Sequence, residues 1–321
     1  MKAVVIGGTG HIGTYLVPRL VEAGFDVTSV SRGQRKPYLA HPAWRRVDQI
    51  ALDRPALEAE GTFADAIAGL SPDVVVDMIC YTEESASRLA DALAGRIQHY
   101  VVIGTAWVHG HAEVVPTTES MPRRPFGEYG INKAAMEAYL LDCARRTGYP
   151  ATIVHPGHIV GPGHVPVNPA GHKDLSVFET LSRGERLALP NLGMETLHHV
   201  HADDVAQVVM GAILNHSVAV GESLHAVSSG AITLRGYAEA VAGWFGQQAN
   251  LAYLPLEGWS QTVSEPDAAM TMDHISHSPC CSIAKAQRLL GYAPRYTSLE
   301  AVYEALSWLI EHGDVDAPPL A

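Results

Sequence analysis

A seven-residue stretch near the start restricts this chain more than any other. Gly7-Gly8-Thr9-Gly10-His11-Ile12-Gly13 follows a short apolar run, Lys2 to Gly7, and leads into a helical pattern from Ile12 to Ala23. Gly7, Gly10 and Gly13 form a G-x-x-G-x-x-G set. Placed between a strand and a helix, such glycines allow a tight turn, a close backbone approach to a pyrophosphate, and close helix–strand packing. The helix then offers free N–H groups and the positive end of its dipole to the phosphates. This predicts a dinucleotide cradle built from Gly7, Thr9, Gly10, His11, Ile12 and Gly13.

The pattern after the cradle repeats the theme. Phe25 to Ser31, Asp73 to Cys80, His99 to Thr105 and Ala151 to Pro156 read as strands, with a helical pattern at Glu83 to Ala94. Alternating strands and helices with right-handed crossovers give an α/β, Rossmann-type doubly wound parallel sheet. After Gly157 the pattern loosens. Residues 157–172 are dense in Gly, Pro and His and read as a long loop. Leu299 to Glu311 reads as an amphipathic helix, and the final DVDAPPLA as a frayed tail.

Length and charge narrow the partners. The chain has 321 residues, 47% of them hydrophobic, and a formal net charge of −12. It suits one large domain or two unequal lobes. An acidic surface disfavours nucleic acid and anionic lipid. No apolar run approaches the roughly 20 residues of a membrane span. The amino-terminal stretch lacks a secretory signal pattern, and Cys80, Cys143, Cys280 and Cys281 form no spaced disulfide framework. The expectation is a cytoplasmic protein with reduced thiols.

Two further signals concern chemistry. The second strand ends Val30-Ser31-Arg32-Gly33, where an NAD-preferring site usually carries a carboxylate. Arg32 is suited to a 2′-phosphate and Ser31 to an added hydrogen bond, so NADP(H) is favoured over NAD(H). Tyr129 and Lys133 form Y-x-x-x-K, which on a helix places a phenol and an ammonium on one face. An unperturbed phenol has a pKa of about 10 and needs a nearby positive charge to serve as a base. Thr105, at a strand end, offers a hydroxyl for a substrate oxygen.

The chain resembles the extended short-chain dehydrogenase/reductase family, also called NAD-dependent epimerase/dehydratase. The resemblance rests on several ordered motifs. The glycine loop matches TGxxGxxG through Thr9, Gly10 and Gly13. Thr105-Ala106-Trp107-Val108-His109-Gly110 matches (S/T)xxVYG, with His109 where Tyr is usual. Tyr129 and Lys133 match the catalytic pair. Residues 151–163 resemble the RPxxvyGPG segment, with His155 in place of the usual Arg. His199 to Ala206 resembles hvxDva, and Ser282 to Pro294 resembles sxxKaxxxLGyxP.

The resemblance implies roles. Tyr129 would be the general acid/base, Thr105 would bind the reacting oxygen, and Lys133 would also bond the nicotinamide ribose. Pro156 and His158 would lie near the nicotinamide, and Asp48, after a third strand at Arg46 to Asp48, would contact adenine. It implies a cofactor domain of residues 1–161 with about 197–227, and a smaller discontinuous substrate domain of 162–196 with 228–321. It also implies a homodimer formed through the helices at Glu83 to Ala94 and Tyr129 to Arg146. The family's dehydratases carry Asp-Glu after the Thr. Ala106-Trp107 stands there, which disfavours dehydration. The Ser31-Arg32-Gly33 ending is more like an atypical branch that contains RNA-binding members.

Within this frame the expected activity is hydride transfer at a hydroxylated carbon of a sugar, sugar nucleotide or related small molecule. Net NADP-linked reduction or oxidation is slightly favoured over closed-cycle epimerisation. A non-catalytic dinucleotide-binding protein with an RNA or protein partner is the alternative of another class. His158, His164 and Asn168 are the expected substrate contacts. Histidines also crowd 198–201, and His274, His277, Cys280 and Cys281 form H-x-x-H-x-x-C-C. Without a paired C-x-x-C, no metal is expected.

Overall fold

A computed structural model describes residues 1–321. Its centre is a seven-stranded parallel sheet built from β1 (Lys2–Ile6), β2 (Asp26–Ser31), β3 (Asp48–Ala51), β4 (Val74–Asp77), β5 (His99–Ile103), β6 (Ala151–Pro156) and a seventh strand, Ser223–Ala226. The order across the sheet is β3-β2-β1-β4-β5-β6 followed by the seventh strand. The sequence reverses direction between β1 and β4, so a crevice opens at their carboxyl ends. The continuous apolar runs follow from this placement. Every residue of β4, β5 and β6 is buried, because helices cover both faces.

On one face, α1 (His11–Glu22) packs against the helix Ala202–Leu214, with Leu16, Leu20, Val205 and Val209 fully buried. An Arg19–Asp203 ion pair of 2.5 Å ties the two helices together. On the other face, the helices Glu83–Leu93 and Gly127–Thr147 bury Leu89, Leu93, Met136 and Leu140. The Gly127–Thr147 helix stops at Gly148, whose φ of +72° suits glycine.

A second apolar cluster lies beyond the sheet. Phe178, Leu189, Tyr237, Trp259 and Leu306 are among its fully buried members. The helix Ser298–Glu311 joins it, started by a Thr297/Glu300 capping box. No helix is long and apolar enough to cross a membrane.

Three expectations need correction. The third strand starts at Asp48 rather than ending there, because Asp48 pairs with Thr28 and Ala51 with Ser31. The 157–172 segment is not all loop: His158–Val160 pairs in parallel with His199–His201. The tail is tied down, since Val315 is buried and the Ala321 amide donates to the Trp244 carbonyl at 2.8 Å.

Candidate active site

The glycine loop closes as the sequence requires. The Gly7 amide donates to the Val30 carbonyl at 2.8 Å, with Gly7 at φ +85°. A Cβ on Gly13 would run into the Gly8 carbonyl oxygen, so only glycine lets α1 approach the turn. The α1 N-cap, Gly10, makes no side-chain capping bond, and the first turn carries no acid. The orphan N–H groups of that turn are therefore available to an anion. The cradle fits a dinucleotide.

Beside it lies a cavity of about 500 Å³, lined by Gly7, Thr9, Gly10, Ser31 and Arg32 among others. Ser31 Oγ accepts from the Gly33 amide at 3.2 Å, which turns the chain at Arg32. Arg35 lines the same space. Asp48 does not. It is exposed at the amino-terminal end of β3, whereas the cavity lies at the carboxyl ends. Sequence reasoning also missed Arg54 and Asp77. Arg54 Nη1 donates to both Asp77 oxygens at 2.8 and 2.9 Å, and both side chains are buried under the cavity floor. An Asp inside the apolar run of β4 was the available signal, since a buried carboxylate needs a partner.

Thr105, Tyr129 and Lys133 meet at the same edge of the sheet. Thr105 follows β5 and caps the 106–109 turn, its hydroxyl accepting from the Trp107 amide at 3.3 Å. Tyr129 leaves 43% of its surface exposed, and Lys133 Nζ lies 5.9 Å from the centre of its ring. Burial pushes the phenol up, the Thr105 contact pulls it down, and Tyr81 pushes it up again; the net direction is upward. The downward shift expected from the sequence needs a nearby positive charge. Lys133 Nζ is buried and donates to the carbonyls of Cys80 and Ile103, each at 2.7 Å. Burial lowers its own pKa to about 8.

The expected substrate contacts separate. His158 is half-buried beside Trp107 and His274, with Nε2 free. Pro156 is buried at the end of β6. His164 packs edge-on against His11 at 4.2 Å, and His11 stacks on Tyr38 at 4.1 Å. Burial, with His164 beside it, lowers the His11 ring to about 3, and burial lowers His164 to about 4. Asn168 is not a substrate reader here. It is fully buried, and its amide is used up in its own loop: Oδ1 accepts from the Ala170 and His172 amides, and Nδ2 donates to the Asp174 carbonyl at 2.9 Å.

The H-x-x-H-x-x-C-C residues do not converge on one point. His274 Nδ1 bonds the Gly171 carbonyl, His277 Nδ1 bonds the Asp273 carbonyl, and the Cys281 amide donates to His198 Nδ1. His277 instead joins an aromatic column. Trp107, His277, Phe126 and His111 stack in turn at 4.0, 4.0 and 4.4 Å. Trp107 meets the edge of Tyr129 at 6.0 Å, so the column borders the Tyr129 phenol.

Another histidine group was not foreseen. His109, His155 and His225 are buried together, with one ring nitrogen of each within 4.8 Å of the others. His155 Nε2 lies 2.8 Å from Glu137 Oε2, and Glu137 is paired in turn with Arg123 at 2.6 Å. Burial pushes Glu137 up, but His155 and Arg123 outweigh it and hold the carboxyl at about 2. Burial, then Arg123, lowers His109 to about 4.

Comparison with known proteins agrees with this geometry. Residues 3–225 match the family model described as NAD dependent epimerase/dehydratase family. The chain is similar to a 2′-dehydrokanamycin reductase of Streptomyces kanamyceticus, 26% identical over 98% of this chain and 86% of that protein. It is also similar to a UDP-glucose 4-epimerase of Corynebacterium glutamicum, 24% identical over 95% and 94% of the two chains. The solved epimerase Mth375 of Methanothermobacter thermautotrophicus shares the fold at a TM-score of 0.73 and 17% identity, over 98% of this chain and 93% of that one. The matched segment takes in the cradle, Thr105, Tyr129 and Lys133, and all of the parallel sheet but Lys2 and Ala226, and the protein belongs to the NAD-dependent epimerase/dehydratase family of extended short-chain dehydrogenase/reductase enzymes.

Proposed function

We propose that this enzyme performs net NADP(H)-linked hydride transfer at a hydroxyl- or carbonyl-bearing carbon of a sugar-derived small molecule. The observation that carries this reading is the meeting of Thr105, Tyr129 and Lys133 at the carboxyl edge of the sheet: the buried Lys133 Nζ donates to the carbonyl of Ile103, two residues before Thr105, and lies 5.9 Å from the centre of the Tyr129 ring. The bound nicotinamide supplies or accepts the hydride. Thr105 holds the reacting oxygen, and Tyr129 moves the proton to or from it. Lys133, anchored on Cys80 and Ile103, bonds the nicotinamide ribose and adds positive charge when the phenol ionises.

Arg32 and Arg35 beside the cavity, with no carboxylate at the end of β2, support NADP(H). Similarity to a named reductase along nearly the whole chain supports net reduction. Cofactor domain 1–161 with about 197–227, and substrate domain 162–196 with 228–321, remain our division of labour. The outer face of the Gly127–Thr147 helix, where Ile131 is exposed, supports a homodimer.

The test uses NADPH deuterated at the transferable C4 position and a panel of glycoside ketones. Deuterium in the alcohol product supports net reduction. A second reading, closed-cycle epimerisation, is favoured by similarity to UDP-glucose 4-epimerases. Under it, sugar nucleotides would interconvert without taking up deuterium.

A further inference from the structure

We propose that His109, His155 and His225 form a binding site for one divalent transition-metal ion of the zinc class. The three rings come from distant parts of the chain. His155 and His225 face each other in register on β6 and the seventh strand, which puts them on one side of the sheet. His109 ends the 106–109 turn and brings its Nε2 to 3.0 Å from His225 Nε2.

Hydrogen-bond accounting shows what the cluster lacks. His225 Nδ1 donates to the Ser282 carbonyl at 3.1 Å, so its Nε2 presents a lone pair. His155 Nε2 donates to Glu137, so its Nδ1 presents another, and that atom has no partner. If His109 Nε2–H satisfies His225, the His109 Nδ1 is left bare, as observed. A bare polar atom in a dry interior is destabilising. An ion would take the lone pairs of His225 Nε2 and His155 Nδ1, and that of His109 Nε2 once the His109 proton sits on Nδ1 instead.

The outer partners are those a metal site requires. Ligating histidines almost always give their other N–H to a carboxylate or a backbone carbonyl. His155 does so to Glu137 and His225 to Ser282. Tetrahedral zinc with nitrogen ligands needs donors about 3.4 Å apart. The 3.0 Å pair is close to that already, and the third ring must move inward. Charge permits a cation. Glu119 and Glu137 both reach the cluster, and Arg123 is already engaged by Glu137. An access route exists, because a cavity of about 210 Å³ is lined by His109 together with Thr117, Met121 and Pro122. Two of the three histidines, His109 and His155, stand where the family pattern has Tyr and Arg. The two departures meet at one point. An ion there would fix the end of the turn that Thr105 begins.

Full-length protein without a histidine tag is stripped with a chelator, dialysed and titrated with zinc. The expected result is one tightly held equivalent. Cobalt(II) in its place should give the visible spectrum of a tetrahedral nitrogen-ligated ion, and His109→Gln and His225→Gln should each weaken zinc at least tenfold. Anomalous scattering from crystals of the zinc-loaded parent should place the ion among the three rings. No saturable binding by folded parent, or an anomalous peak at other histidines, overturns the proposal. The parent crystal decides even if a variant fails to fold.

Discussion

Lys133 Nζ lies 5.9 Å from the centre of the Tyr129 ring and spends its close contacts on two backbone carbonyls. The ammonium therefore lies beside the phenol without a hydrogen bond to it. Under the proposed function the proton-carrying role falls to Tyr129 alone. Tyr129→Phe should abolish nearly all turnover and leave dinucleotide affinity within a few-fold of the parent. Stopped assays with a fluorescence titration check both halves. Substantial residual turnover would show that another group moves the proton.

Arg32 is exposed beside the cavity and has no ion pair. Its replacement by Ala should weaken NADP(H) by about 1.5–3 kcal/mol, the range for a hydrogen bond between charged groups. NAD(H) binding should barely change. Tighter binding of NAD(H) than NADP(H) by the parent contradicts the preference.

Buried neutral histidines make stability depend on pH. His198 and His199 are fully buried, each bonded to a carbonyl, and burial lowers them to about 4 and about 3. In the unfolded chain they would titrate near 6.5. Their stabilisation is complete above pH 6.5 and is lost as the pH falls toward 4, because the unfolded chain takes up protons first. Between pH 7 and pH 5 the loss should be on the order of 1–2 kcal/mol per ring. Urea midpoints unchanged over that interval would refute this.

Ile131 is exposed by 52% on the outer face of its helix, with Ala138 exposed two turns further along. A homodimer that buries this face should appear as twice the chain mass in light scattering at micromolar concentration. Ile131→Glu should shift it to monomer. A monomeric parent rules the interface out.

The parts of the site legible in the sequence are those fixed by short spacing. The glycine loop lies within one turn, and Tyr129 and Lys133 lie within one helix, so local geometry sufficed. Thr105 was legible as a strand end. Asp48 was misplaced because strand boundaries depend on register with β2, which a short polar run does not reveal. Asn168 drew a substrate role from its loop, but a buried loop must satisfy its own backbone, and the Asn amide does that. The His109–His155–His225 cluster depends on the pairing of β6 with the seventh strand. Chain-adjacent spacing, which drew attention to His274 and Cys280, carries no trace of it.

Net hydride transfer is the central claim, and the state of the cofactor in purified protein tests it most directly. Protein purified without added nucleotide is denatured, and the released nicotinamide is quantified and compared with the cofactor requirement for turnover. The account predicts little retained NAD and turnover that depends on added NADP(H). Stoichiometric NAD released only on denaturation, with turnover independent of added cofactor, would contradict it and establish an epimerase.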